Sequence, residues 1–375
     1  MTNWPDEVDP TGHDLRLLTD ELRAGHRVVR NARGEWVLLG YAEVEATATD
    51  AERFSSAVSA HLQVPNGLDG EEHAEARRVL DRYLTAEAVA PFETRFREIA
   101  RDLVASLPTE TDAVRDLGAV FAVRAQSAWL GWPASLEPRL LDWMQANHAA
   151  TRSGERARMA QVADDFDDLI RGVLEPRRLN PTDDLTSRLM ADGWKERPFT
   201  DEELVSILRN WTGGDLGSIA LCVGVLAAHL SLDPALQARL RSGVSDAELD
   251  AVIDEILRLD DPFVTNRRKA TCPVTVAGVE IGEGEVVKLN WTSANRDESV
   301  FGVDIFDPVG HAARNLVYGT GPHVCPGRAL ATMELRIAVQ ELLAATSAVF
   351  PGERDPEREV HPVGGYRRVP IALAR

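Results

Sequence analysis

Cysteine is scarce: three thiols in 375 residues cannot make a disulfide framework, which points to a reducing, cytoplasmic setting. Bases are also short, 41 against 60 acids, giving a net charge of −19 at pH 7. Such a surface repels phosphate backbones and anionic lipid, so neither nucleic acid nor membrane is expected as a principal partner. The opening residues, Met1 to Glu7, have no basic segment followed by an apolar one, so nothing suggests export. No apolar run reaches the ~20 residues of a spanning helix. Leu216 to Leu232 comes nearest, but it contains Ser218 and His229 between Asp215 and Asp233, and reads as a buried central helix. Aromatics make up only 6% of the chain and favour no substrate class. The apolar share of 44% is that of a globular protein and excludes disorder as the main state.

Patterning predicts a mostly helical single unit spanning residues 1–375, with small sheets mainly in 25–40, 264–290 and 357–374. Arg27–Arg30 and Trp36–Leu39 read as a hairpin around Gly34. Amphipathic helices are expected over Glu71–Tyr83, Pro91–Leu107, Asp116–Leu130, Leu136–Thr151, Glu155–Leu179 and Asp246–Leu259. Thr200 and Glu203 form a capping box opening a helix that can run to Leu232, roughly 50 Å at 1.5 Å per residue. A last helix is expected from Pro326 to Ala345, Pro being favoured at a first helical position.

Tyr318-Gly-Thr-Gly-Pro-His-Val-Cys-Pro-Gly327 is the most informative stretch. It sets one cysteine in a glycine-rich loop at a helix start, where free amides and the dipole favour a thiolate. A thiolate suits haem iron and favours O–O cleavage. The alternative is a small buried hydrophobic cysteine. Zinc fits poorly without paired C-x₂-C or H-x₃-H spacing, and a dinucleotide loop fails because Val324 stands where its third glycine belongs.

The stretch resembles the haem-binding loop of the cytochrome P-450 superfamily, F-x-x-G-x-[HR]-x-C-x-G. Gly321, His323, Cys325 and Gly327 match, and Tyr318 replaces the usual phenylalanine. Glu255-Ile-Leu-Arg258 is similar to the family's E-x-x-R pair, although a solvated helix pair has the same spacing. Arg268 resembles the family's propionate-binding arginine, while His73 and Arg77 resemble the histidine and arginine that reach haem propionates. Ala294–Asp297 and Phe306–Pro308 look like the segment leading into the loop.

The resemblance implies a helical prism with a minor β lobe around haem b. Cys325 would be the axial ligand to iron, His73, Arg77, Arg268 and His323 would hold propionates, and Glu255 with Arg258 would be structural. It implies monooxygenation of a small organic substrate with O₂. Electrons would come from a separate ferredoxin and ferredoxin reductase, because no flavin or iron–sulfur segment is fused and the cysteines are too few for a cluster.

The central helix departs from the family pattern of a small residue, glycine, any residue, Asp or Glu, then threonine. With Thr212, Gly213 and Asp215 in register, Leu216 takes the threonine position. Asp215, Ser218 and Thr212 are then the candidates for moving distal protons, against a purely structural Asp215 satisfying backbone amides. Gly213, Gly214 and Gly217 each weaken the helix by about 1 kcal/mol relative to alanine, as if it must open. The leucine motivates a second reading, a haem-thiolate enzyme of atypical chemistry: a peroxide-driven peroxygenase, an oxidative coupling catalyst or a dehydratase. A third is a non-catalytic haem-binding relative. The usual arginine after Asp-Pro is missing, leaving His311 or Arg314 to complete the Glu255–Arg258 network. By position, the substrate pocket should involve the Ser56–Leu68 loop, Leu216, Val264, Thr265 and Val363.

Overall fold

The computed structural model describes residues 3–4 and 14–375; the rest of the opening stretch, read above for an export signal, lies outside the described residues. The central helix runs unbroken over Asp201–Leu232, and both halves of its Thr200–Glu203 capping box form. From Ile219 to Ala228 it is apolar on all sides and correspondingly buried on all sides, as a segment without a solvent face must be. It is long and apolar enough to cross a bilayer, yet most of its apolar stretch is buried inside the protein. Gly213, Gly214 and Gly217 do not open it in this structure.

Around this helix pack Val120–Leu130, Arg156–Leu179, Asp246–Leu259 and the final helix Arg328–Ala344, with Glu93–Ser106 behind Val120–Leu130 and the final helix. The residues ahead of Val120 wind as a wider π-type turn, Ala113–Ala119, pressed directly onto the central helix. Gly118 makes that approach possible, since a Cβ there would stand 2.7 Å from the Ala220 carbonyl oxygen. The final helix starts at Arg328 rather than Pro326: Pro326 and Gly327 belong to the turn that follows the cysteine.

Val28–Asn31 and Trp36–Leu38 pair as the expected hairpin. They join Val286–Asn290 and Thr265–Ala270 in one six-stranded sheet, which Asn3–Trp4 and Phe54–Ser55 complete at its edges. The carboxy-terminal strands do not belong to it. Pro370–Ala374 lies between Ala348–Pro351 and Glu110–Asp112, while Glu357–Arg358 pairs with Tyr366–Arg368. These small sheets close against the helical body because Val349, Val369, Ile371 and Leu373 face the main core.

Candidate active site

A cavity of about 320 Å³ separates the central helix from the cysteine loop. Trp211, Gly214, Asp215, Ser218, Ile219 and Cys222 form its helical wall, and their spacing of three and four traces one helix face. His323, Cys325 and Gly327 form the facing wall.

The loop holds its shape through its own backbone. Cys325 N donates to the Tyr318 carbonyl at 2.9 Å, and Val324 N to that of Gly321 at 3.1 Å. Gly321 has φ +74°, and a Cβ there would stand 2.6 Å from the Ala48 carbonyl oxygen, so only glycine fits. Burial pushes the Cys325 thiol up, and the Gly327 amide opposes this by donating to the sulfur. Arg77 clamps the loop from outside, its guanidinium donating to the Pro322 and Val324 carbonyls at 3.1 Å each and to Asp81 at 2.7 Å. Arg77 Nε and Nη1 are thus engaged by protein, and Arg77 does not line the cavity.

The other expected propionate ligands converge. His73 and His323 stack with ring centroids 4.0 Å apart. His73 Nε2 is buried without a partner, and His323 Nε2 lies 3.0 Å from the Ser56 hydroxyl. Burial, then the neighbouring His73 and Arg268, push His323 down to about 3. Arg268 is 7% exposed and lines the cavity. Its one described hydrogen bond is to the Arg267 carbonyl, and it has no carboxylate within ion-pair distance among the described residues. A buried guanidinium without an anion is costly, so Arg268, with the unpartnered His73 Nε2 nearby, fits a ligand that brings its own carboxylates, as haem does. Arg268→Ala should leave the fold intact and weaken haem retention about tenfold or more, the worth of one charge-assisted hydrogen bond, measured by haem transfer to apomyoglobin.

The proton-handling candidates separate. Ser218 and Asp215 face the cavity. Thr212 is fully buried, gives its hydroxyl to the Leu208 carbonyl, and does not line the cavity. Leu216 is likewise buried in the main core, about a third of a turn from the centre of the cavity face. Placing it at the distal ceiling was a register error. The structure puts a hydroxyl, Ser218, on the wall where threonine was expected, with Asp215 one turn earlier. The Ser218 hydroxyl donates to the Gly214 carbonyl.

Val264, Thr265 and Val363 do not line the cavity either. Alternation along the Thr265–Ala270 strand turns Asn266 and Arg268 inward and Thr265 away. Val264 packs beneath Gly364, and Val363 packs on the main core. Pro65 and Asn66 are the parts of the Ser56–Leu68 loop that reach the cavity. Sequence reading missed Gln126, Trp129, Trp211, Phe263 and Asn266 as lining residues. Only the helical phase of Trp211, four residues before Asp215, could have flagged one of them.

Glu255 and Arg258 form no surface pair: each side chain is 1% exposed, with two guanidinium–carboxylate contacts of 2.8 Å. His311, rather than Arg314, completes the network, its Nδ1 2.7 Å from Glu255 Oε1.

Comparison with known proteins then decides the family. The cytochrome P450 family pattern matches residues 132–368, well over half the chain. The chain belongs to the cytochrome P450 family. It is 30% identical to nocardicin C N-oxygenase of Nocardia uniformis, over 97% of this chain and 96% of that one. It is 28% identical to cyclomarin C epoxidase of Salinispora arenicola, over 90% of each chain. Erythromycin C-12 hydroxylase of Saccharopolyspora erythraea is 27% identical over 98% of this chain and 96% of its own. Among solved structures, a mutant of P450 EryK in complex with erythromycin B superposes with a TM-score of 0.89, at 26% identity over 96% of both chains. As a P450, the chain is a haem-thiolate monooxygenase, an oxidoreductase that incorporates oxygen from O₂ into an organic substrate with electrons from a redox partner.

Proposed function

We propose that this P450 binds haem b through Cys325, with Arg268, His73 and His323 on the propionate side, and works in the cytoplasm with a ferredoxin and its reductase. One observation carries the reading: Cys325 and the Asp215–Ser218 face look at one another across a single cavity. When bound, haem supplies the activation of dioxygen. The protein's part is to hold the thiolate, exclude bulk water, and place Asp215 and Ser218 where protons are consumed. Three cysteines fall short of the four thiolates of an iron–sulfur cluster, which supports a ferredoxin as the electron donor.

The cavity wall also describes the substrate. Trp211, Phe263, Leu84 and Ile219 offer an apolar surface, broken by Asn66 and Asn210. That suits an organic molecule with an apolar body and few hydrogen-bonding groups. The relatives epoxidise, hydroxylate and N-oxygenate, so the bond attacked follows from how the substrate is presented.

The dithionite-reduced protein with carbon monoxide should show the red-shifted Soret band of thiolate-ligated ferrous haem. A band at the histidine-ligated position, or no haem in the folded protein, would overturn the assignment. Reductant consumption with ferredoxin, reductase and O₂ should exceed turnover driven by peroxide alone. Leu216 in the threonine position motivates the peroxide-driven reading, while a hydroxyl on the cavity wall, Ser218, supports turnover with O₂.

A further inference from the structure

Of the acids that line the cavity, one is held by the protein and one is not. The Asp261 carboxylate accepts from the Phe263 amide at 2.8 Å and from Asn295 at 3.3 Å. Asp215 Oδ2 is buried with no hydrogen-bond partner, and among the described residues no Lys, Arg or His pairs with its carboxylate. Arg268, the one arginine on the cavity wall, stands at the other end, beside His73 and His323. The arginines of the central and final helices are committed elsewhere: Arg209 to Asp167, Arg328 to Asp254 and Arg336 to Asp250. Burial raises the Asp215 carboxyl, and no positive charge opposes the rise.

Around this acid the wall is aromatic and amide. Trp211 lies one turn before Asp215 on the same helix face. Its indole meets that of Trp129 with ring centroids 5.2 Å apart and planes at 47°, so the two rings form a corner rather than a stack. Gln126, one turn before Trp129, also lines the cavity. It is 2% exposed, and neither its amide oxygen nor its amide nitrogen has a partner. Burying such an amide unpaired costs about 1–3 kcal/mol, so the site is complete only with a group that the chain does not supply. Gly214 leaves room for it beside Asp215, since a Cβ there would meet nothing within 4 Å.

The chemistry of that group follows from its surroundings. A carboxylate without a counter-charge attracts a cation, ring faces add to the attraction, and an amide oxygen accepts from N–H. A neutral apolar ligand would leave the acid and the amide unsatisfied, and an anion would be repelled. The net charge of −19 gives the same preference at longer range.

We propose that the substrate is an organic cation, an apolar body carrying a protonated amine whose N–H groups face Asp215 and the Gln126 amide oxygen, against the corner of Trp211 and Trp129. The proposal rests on the haem-thiolate reading for the oxidation of that substrate. The cation seat itself is a property of the chain.

Calorimetric titration of the holoprotein with two probes of equal shape tests it. One is 4-(trimethylammonio)benzyl alcohol, charged at every pH and without a nitrogen lone pair to ligate iron; the other is its neutral isostere, 4-tert-butylbenzyl alcohol. The Kd of the neutral probe divided by that of the cation is the charge preference. Asp215→Asn should lower this preference about tenfold or more, the worth of one charge-assisted contact, and leave the neutral probe's Kd within about threefold. A preference unchanged by Asp215→Asn overturns the proposal, and so does a wild type that does not bind the cation. If Asp215→Asn does not retain haem, Trp211→Leu decides: it should lower the preference roughly threefold by removing one ring face, and an unchanged preference has the same consequence. A thiolate-type carbon monoxide spectrum without the charge preference sinks the cation seat alone. The charge preference without that spectrum sinks the haem assignment and leaves the seat standing.

Discussion

Replacing Cys325 by serine abolishes the red-shifted carbon monoxide band and reduces monooxygenation to background, while the apoprotein still folds, losing no more than about 1–3 kcal/mol for burying a hydroxyl where a thiol stood. The loop does not depend on the sulfur for its shape. Its path is set by the Cys325–Tyr318 and Val324–Gly321 backbone bonds, by the Arg77 clamp and by the close fit of Gly321 against Ala48. The loss is then chemical: a serine hydroxyl does not ionise to give iron a soft anionic ligand. Cys222 supplies the control, for it also lines the cavity. Its thiol sits in the central helix, pushed well up by burial and by the carboxylates of Asp261, Asp215 and Asp254, so it stays protonated. Cys222→Ala should therefore leave the band in place. The pair of variants is read by the reduced carbon monoxide difference spectrum, with chemical denaturation as the fold control.

What the sequence could reveal here depended on whether chemistry or packing decided the answer. The Cys325 loop, the Glu255–Arg258 pair and the capped central helix were legible because each is fixed by local spacing. The substrate wall was not. Leu216 and Ser218 are two residues apart, so whichever faces the cavity turns the other away, and only the packing of the helix against its neighbours fixes that phase. Arg77 has the right residue type at the right spacing, yet its guanidinium is captured by Asp81 and two loop carbonyls, contacts that need the folded loop to exist. Glu334 lay in plain view nine residues after the cysteine, in a helix also carrying Glu341. Nothing local separates the Glu334 carboxyl, fully buried in the final helix, from the Glu341 carboxyl that meets Arg97 and Arg101.

Removing Arg258 should be nearly as damaging as removing Cys325, by a different route. Its guanidinium donates to both Glu255 oxygens, to the Asn295 carbonyl at 2.5 Å and to the Ile305 carbonyl at 2.9 Å, and it lies 4.5 Å over the Phe301 ring. It thus ties the Asp246–Leu259 helix to the segment that leads into the cysteine loop. Arg258→Met leaves the Glu255 carboxylate buried with only the Asp307 amide and His311, and breaking a buried pair in this way costs about 3–5 kcal/mol. Arg258→Lys keeps the charge but not the fork or the two carbonyl contacts, so it should recover only part of the loss. The double exchange of Glu255 and Arg258 for apolar residues should cost less than Arg258→Met alone, because no orphaned charge remains. Urea denaturation with haem absorbance as a second probe measures all three. A cost below about 1 kcal/mol for Arg258→Met would mean the pair is no more than a surface contact. The pH dependence has a definite sign as well. Burial raises the Glu255 carboxyl, but Arg258, the Asp307 amide and His311 outweigh it and hold the group below its ordinary value. Its contribution to stability is present above the ordinary glutamate range and is lost as pH falls through the lowered folded value. Wild-type stability should therefore drop on acidification, and the drop should be smaller in the apolar double variant, where no carboxylate is left to protonate.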